Sequence, residues 1–140
     1  MAGQPRVLFL CVHNSARSQM AQGLLHGLSR GAYEALSAGL AASQVRPEAI
    51  AVMKELGIDI SHHSSKAMDT YAGQSMDFTV SVCDDVTEAC PVFPNATRQL
   101  HWSIADPSAV QGGESERLQA YRNARDELRR RIEAEFLRGD

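Results

Sequence analysis

The sequence predicts an α/β fold, a parallel sheet with helices on both faces, and three observations carry that prediction. Apolar strand-like runs alternate with amphipathic helical stretches along the chain. Two of those runs end directly on a cysteine, Cys11 and Cys83, and ligands of open parallel sheets collect at the carboxyl ends of strands. The length, 140 residues, is close to the commonest domain size and allows one core without disulfide staples. A single domain spanning 1–140 is therefore expected.

The first strand is Arg6–Leu10, because Val7-Leu8-Phe9-Leu10 is a continuous apolar run of the kind buried on both faces. A helix follows over Ser18–Ser29, with Met20, Ala21, Leu24, Leu25 and Leu28 on one face, and Gly31 ends it. Tyr33–Ser37 reads as the second strand and Ala38-Gly39 as its turn. Pro47–Leu56 is the second helix, with proline at its start and Gly57 past its end. Ser61–Ser65 is a polar loop leading into a short helical stretch at Ala67–Ala72. Phe78–Val82 is the third strand, and Leu100–Trp102 a short fourth one before a turn at Asp106-Pro107-Ser108. Glu114–Leu137 closes the chain as one long helix that packs through Leu118, Tyr121, Leu128, Ile132 and Phe136.

The net charge of -3 provides no basic field for nucleic acid. Arg125, Arg129, Arg130 and Arg131 cluster, but Asp126, Glu127, Glu133 and Glu135 interleave with them, which describes a solvated helix face. No run is long enough to span a membrane, and the amino terminus lacks the pattern of a secretory leader. A cytoplasmic protein is expected, in which three cysteines serve reactivity or metal binding rather than structure.

The segment Cys11-Val12-His13-Asn14-Ser15-Ala16-Arg17-Ser18 places a cysteine, five residues, an arginine and a serine between a strand and a helix. A loop this short can curl so that successive backbone N–H groups point at one anion, and the following helix adds its own unpaired N–H groups and dipole. The same field favours thiolate over thiol, which makes Cys11 a nucleophile. Arg17 offers a planar fork to two oxygens of a tetrahedral anion. Ser18 can donate to the thiolate, and Asn14 suits a left-handed turn that its amide ties together.

Cys83 and Cys90 have six residues between them. If helical, that segment separates them by roughly 10 Å, too far for a disulfide unless it unwinds. A zinc site is poorly matched, since the close spacing and a second pair are missing, and His62, His63 and His101 read as loop or surface residues. A thiol relay is the other reading: Cys11 attacks a substrate, Cys83 resolves the adduct and Cys90 takes over the disulfide.

The Cys11–Ser18 loop, the Ser37-Ala38-Gly39 turn, the His63-Ser64-Ser65 segment, Val82-Cys83 with Ala89-Cys90-Pro91, and His101-Trp102 before Asp106-Pro107 together resemble the thioredoxin-coupled arsenate reductases. These share the fold of low-molecular-weight protein tyrosine phosphatases. The resemblance implies a three-layer sandwich around a four-stranded parallel sheet, with arsenate bound by Val12, His13, Asn14, Ser15, Ala16, Arg17 and Ser18. It implies attack by Cys11, proton donation by Asp106, disulfides first between Cys11 and Cys83 and then between Cys83 and Cys90, and rearrangement of that segment to meet thioredoxin. No bound cofactor or metal is implied; electrons come from thioredoxin, phosphate and sulfate act as arsenate analogues, and the enzyme is a monomer.

The chain departs from its relatives at some points. His13 and Ala16 stand where they can carry glycine and cysteine, and His13 either tunes anion affinity or caps the loop. Gln22 and Lys66 replace acidic residues that help some relatives hold potassium, so no potassium site is expected. The main rival function is a phosphatase for phosphotyrosine or small phosphate esters, which uses the same Cys11, Arg17 and Asp106. Such enzymes usually place aromatic residues after Asp-Pro, whereas this chain has Ser108-Ala109-Val110. A thiol-based redox or metalloid sensor ranks lower, because it requires neither Asp106 nor the loop.

Overall fold

The structure, a computed structural model, describes residues 4–84, 88 and 90–137. Four strands, β1 (Arg6–Cys11), β2 (Glu34–Gly39), β3 (Met76–Ser81) and β4 (Ala96–His101), form one all-parallel sheet in the order β2-β1-β3-β4. Three α-helices, α1 (Arg17–Leu28), α2 (Pro47–Lys54) and α3 (Glu114–Ile132), follow β1, β2 and β4, and α3 runs on into a π-helical turn at Glu133–Leu137. Short 3-10 turns occupy Met68–Tyr71 and Pro107–Ala109.

β1 lies inside the sheet, and Val7 to Leu10 are at most 1% exposed, which explains its uninterrupted apolar run. Its side chains alternate between two cores. Val7, Phe9 and Cys11 enter the larger, with Met20, Leu24 and Leu25 of α1, Val52 and Met53 of α2, and Tyr121, Leu128 and Ile132 of α3. Leu8 and Leu10 enter the smaller, with Ala38, Met76, Tyr71 and Phe93. The faces are thus covered unequally, by three α-helices on one side and by a 3-10 turn and the Phe93 segment on the other. Burying Leu24 and Leu25 fully contributes about 1.5–3 kcal/mol each before entropy is counted. α1 stops as the chain turns left-handed, with φ 54° at Arg30 and 78° at Gly31.

Several boundaries differ from the sequence reading for physical reasons. β2 continues through Ala38-Gly39, expected as a turn, because Gly39 pairs in register with Cys11 on one side and bridges Ala67 on the other. α1 begins one residue earlier than expected, at Arg17, and α2 ends at Lys54. β3 begins at Met76 and ends at Ser81, although Val82 N still donates to Leu10 O. β4 is Ala96–His101 rather than Leu100–Trp102: it is an edge strand whose Thr97, Arg98 and Gln99 are exposed, so it carries no apolar signal. Of the arginine cluster, Arg129 pairs with Glu133, and both Arg130 and Arg131 pair with Glu127 on the solvated face. Arg125 instead is buried and ties α3 to α2 through Val52 O and Glu55, both at 2.8 Å. Among the described residues no helix is long and apolar enough to cross a membrane.

Candidate active site

The loop between β1 and α1 is fastened from outside by its carbonyls. Val12 O accepts from Leu40 N at 2.9 Å and Ala41 N at 3.3 Å, His13 O from Ser65 Oγ at 3.1 Å, and Ser15 O from Arg46 N at 2.8 Å. Asn14 O accepts from Gln19 Nε2 at 3.2 Å. In a trans peptide the carbonyl and the next N–H point in opposite directions. Carbonyls fixed outward therefore leave N–H groups facing the enclosed side. Among the described residues the N–H groups of His13, Asn14, Ser15, Ala16 and Arg17 reach no protein acceptor. Ala16 at the start of α1 supplies no side-chain cap, so the helix end stays open to an anion as well.

Gly39 makes this loop position possible. A Cβ there would lie 2.7 Å from Val12 O, 2.8 Å from Asn14 N and 2.9 Å from Cys11 O. Asn14 holds the curl from within: it is fully buried with φ 52°, accepts from Lys66 N at 2.7 Å and Gln19 Nε2 at 2.9 Å, and donates from Nδ2 to Ser18 Oγ at 2.8 Å. Since Asn14 supplies the hydrogen in that bond, the Ser18 hydroxyl proton is left for Cys11 Sγ, 2.8 Å away. Gln19 is fixed in turn by His63 Nδ1 at 2.9 Å. Burial, followed by the charges of His62, Lys66 and His26, pushes the His63 pKa down to about 4, so the ring is neutral at pH 7.

The loop forms the floor of a cavity of about 200 Å³ whose lining includes Cys11, His13, Arg17, Arg46, Asp106 and Ser108. Cys11 is a free, buried thiol. Arg17 is only 5% exposed and donates from Nη1 to Ile104 O at 2.9 Å. Its other bonds run to Glu88, at 2.6 Å from Nη1 and 2.7 Å from Nη2, and Asp106 Oδ2 lies 3.8 Å from Nη2. Burial opposes the Arg17 charge, but the Glu88 hydrogen bond and the charges of Asp106, Glu88 and Cys11 outweigh it and raise the pKa. The Arg17 hydrogen bond lowers that of Glu88 against its own partial burial, helped by the Asp84 N–H. Asp106 Oδ1 accepts from Ser108 N at 2.9 Å and Ser108 Oγ at 2.7 Å, which leaves Oδ2 toward Arg17.

Cys83 and Cys90 do not line the cavity; they form a disulfide with Cα atoms 5.9 Å apart. Their separation is thus not the roughly 10 Å that a rigid helix would impose, and Glu88 N donates to Asp84 O at 2.9 Å. Residues 85–87 and 89 of the Cys83–Cys90 segment, expected to rearrange, lie outside the described residues. Of the expected site residues, Cys11, His13, Ser15, Ala16, Arg17 and Asp106 line the cavity; Val12, Asn14 and Ser18 do not, and Asn14 and Ser18 instead bond to each other behind the loop. Sequence reasoning missed Arg46, Gly39, Gln19 and Glu88. Only Gly39 left a signal, a glycine at a strand end next to the loop. Lys66 Nζ, at a position expected to repel potassium, donates to Ser64 O and Oγ at 3.2 and 2.9 Å, and Ser37 Oγ donates to Gln22 Oε1 at 2.5 Å. Among the described residues no cluster of His, Cys, Asp and Glu is placed to hold a metal ion.

Comparison with known proteins agrees with this geometry. An arsenate reductase of Halalkalibacterium halodurans is 37% identical over 126 residues, covering 90% of this chain and 91% of that protein. The structure of an arsenate reductase in the phosphate binding state superposes with a TM-score of 0.80 at 31% identity, over 94% of this chain and 95% of that one. A thioredoxin-dependent arsenate reductase of Corynebacterium glutamicum superposes with a TM-score of 0.63 at 27% identity, over 95% of this chain and 64% of that one. The model of the low molecular weight phosphotyrosine protein phosphatases matches residues 6–137. With a strand-end thiol, a curled N–H loop and a buried arginine at the head of α1, the chain belongs to that family.

Proposed function

We propose that this chain, as one monomeric domain over 1–140, is an arsenate reductase that works through three thiols and is regenerated by thioredoxin. The observation that carries the proposal is the pairing of an oxyanion cradle around Cys11 with a second, separate pair of thiols able to close a disulfide. A phosphatase needs only the cradle. Relatives named arsenate reductase, one of them thioredoxin-dependent, support the same reading.

Arsenate sits on the N–H groups of the loop and the Arg17 fork, and the Cys11 thiolate attacks arsenic while Asp106 protonates the departing oxygen. Ser18 steadies the thiolate before attack. Cys83 then attacks Cys11 Sγ; the electron pair of the sulfur–arsenic bond leaves with arsenic, which departs as arsenite. Cys90 attacks Cys83, the Cys11 thiolate is released, and the Cys83–Cys90 disulfide passes to thioredoxin. Phosphate fits the same cradle, so weak phosphatase activity accompanies the main one. Ser108 lines the cavity after Asp106-Pro107, where an aromatic residue would grip a phenol ring, and this favours the small inorganic substrate.

The test is arsenate reduction coupled to thioredoxin and its reductase, run on wild type and on Cys11→Ser, Cys83→Ser and Cys90→Ser. All three variants should lose repeated turnover. Cys90→Ser should still release one equivalent of arsenite per enzyme, and Cys11→Ser none. Wild-type turnover by Cys90→Ser would rule out the relay, and activity in Cys11→Ser would rule out the whole reading.

A further inference from the structure

Glu88 has no role in the chemistry above, yet it makes the strongest side-chain contact in the site. Its two carboxylate oxygens take both terminal nitrogens of Arg17, at 2.6 and 2.7 Å, with the pair largely withdrawn from solvent. This fork-to-fork arrangement is the one a tetrahedral oxyanion would adopt on the same guanidinium. The remaining Arg17 bond, to Ile104 O, fixes the fork in place. Glu88 sits between Cys83 and Cys90 in sequence, and its carboxylate is aimed by two bonds within that span, Asp84 N to Glu88 Oε1 at 2.7 Å and Glu88 N to Asp84 O at 2.9 Å. The disulfide that brings Cα83 and Cα90 to 5.9 Å is therefore present together with an internal anion on the substrate arginine.

We infer that Glu88 is a positioning residue that makes oxyanion binding at Arg17 and closure of the Cys83–Cys90 disulfide mutually exclusive. The inference rests on the arsenate-reductase reading of the same site. Arsenate enters as an anion and satisfies Arg17; arsenite leaves as a neutral molecule at neutral pH and grips the fork poorly. A buried guanidinium without an anion is unfavourable, so the carboxylate takes its place as the segment carrying Cys90 closes onto Cys83. The oxidised enzyme then does not trap a new arsenate whose reduction needs the Cys83 and Cys90 thiols it lacks. Coupling of this kind is reciprocal: whatever expels the anion on oxidation lets the anion oppose oxidation.

The test measures inorganic phosphate binding by calorimetry to wild type with the Cys83–Cys90 pair reduced and with it oxidised, and repeats both with Glu88→Gln and Glu88→Ala. The oxidised wild type should bind phosphate about tenfold or more weakly than the reduced form. Both variants should remove most of that difference, chiefly by restoring affinity in the oxidised state. By linkage, saturating phosphate should raise the reduction potential of the wild-type pair by about 30 mV per tenfold difference, and should leave that of the variants nearly unchanged. This phosphate-dependent shift is a readout that a purely structural Glu88 would not move. Equal phosphate affinity in the two wild-type states, or a difference that survives in both variants, overturns the coupling. No phosphate binding to reduced wild type would instead overturn the oxyanion-site reading itself, and the two failures are distinguishable.

Discussion

The Cys11–Arg17 loop and the Cys83–Cys90 segment each follow a strand of the same sheet, and they are held in opposite ways. The loop is tied at four successive carbonyls to residues after β2, at the head of α2, in α1 and in the loop before Ala67, and Asn14 adds three side-chain bonds. Among its described residues the second segment is held by the Cys83–Cys90 disulfide, the Glu88–Arg17 ion pair and bonds between Asp84 and Glu88. A cradle must keep its donors fixed while charge develops on the substrate, so its bonds are permanent. In the proposed relay the Cys83–Cys90 segment changes partners within each cycle, and permanent ties would stop it. On that proposal the contrast teaches that one site divides its labour between a part defined by geometry and a part defined by which bonds it exchanges.

The sharpest way to break this comparison is Gly39→Ala, which changes nothing in the second segment. The methyl group would meet three loop atoms within 3 Å, all backbone. We expect a loss of roughly 1–3 kcal/mol of stability in denaturant titrations and the disappearance of phosphate binding, while the Cys83–Cys90 disulfide still forms. Retained phosphate affinity would show that the loop's external ties do not set its shape. A smaller effect comes from His63, which fixes Gln19. Its pKa of about 4 in the folded protein is below the unfolded value of about 6.5, so as pH falls the unfolded chain takes up the proton first. Stability is therefore full above about pH 6.5 and falls as pH drops from there toward 4. His63→Gln should flatten Tm against pH across that window, and an unchanged slope would remove His63 from the set of ties. The smallest effect should come from Arg131→Ala, which breaks an exposed pair with Glu127 on the solvated face of α3. A shift within about 0.5 kcal/mol and unaltered turnover are expected; anything larger would extend the site onto the solvated face of α3.

The first of these regions was legible in the sequence and the second only in outline. A strand that ends on Cys11, an Asn that accepts φ 52° and a helix that starts at Arg17 are local properties, and local patterning reports them. The strand-end Gly39 was legible as a glycine but not as a contact, because its requirement comes from a loop nearly thirty residues away in sequence. Asn14 as a hub, with Gln19, His63 and Lys66 around it, depends on tertiary pairing that no periodicity encodes. β4 was misplaced because an edge strand with exposed Thr97, Arg98 and Gln99 packs only Ala96 and Leu100 against the cores. Glu88 read as part of an acidic surface stretch, since nothing in its neighbours announces a partner 71 residues earlier.

The outside ties of the loop also carry a consequence for how the protein is made. Cys11 leaves the ribosome before the residues that shape its loop: the donors that turn the loop carbonyls outward come from residues 40, 41, 46 and 65, and Asn14 needs Lys66. The acceptor that fixes Arg17 is Ile104, 87 residues later. A nascent polypeptide therefore carries Cys11 without its finished loop until the segment around Ile104 has been made. The thiol, the curled loop and the buried Arg17 fork come together only as those later residues fold around them.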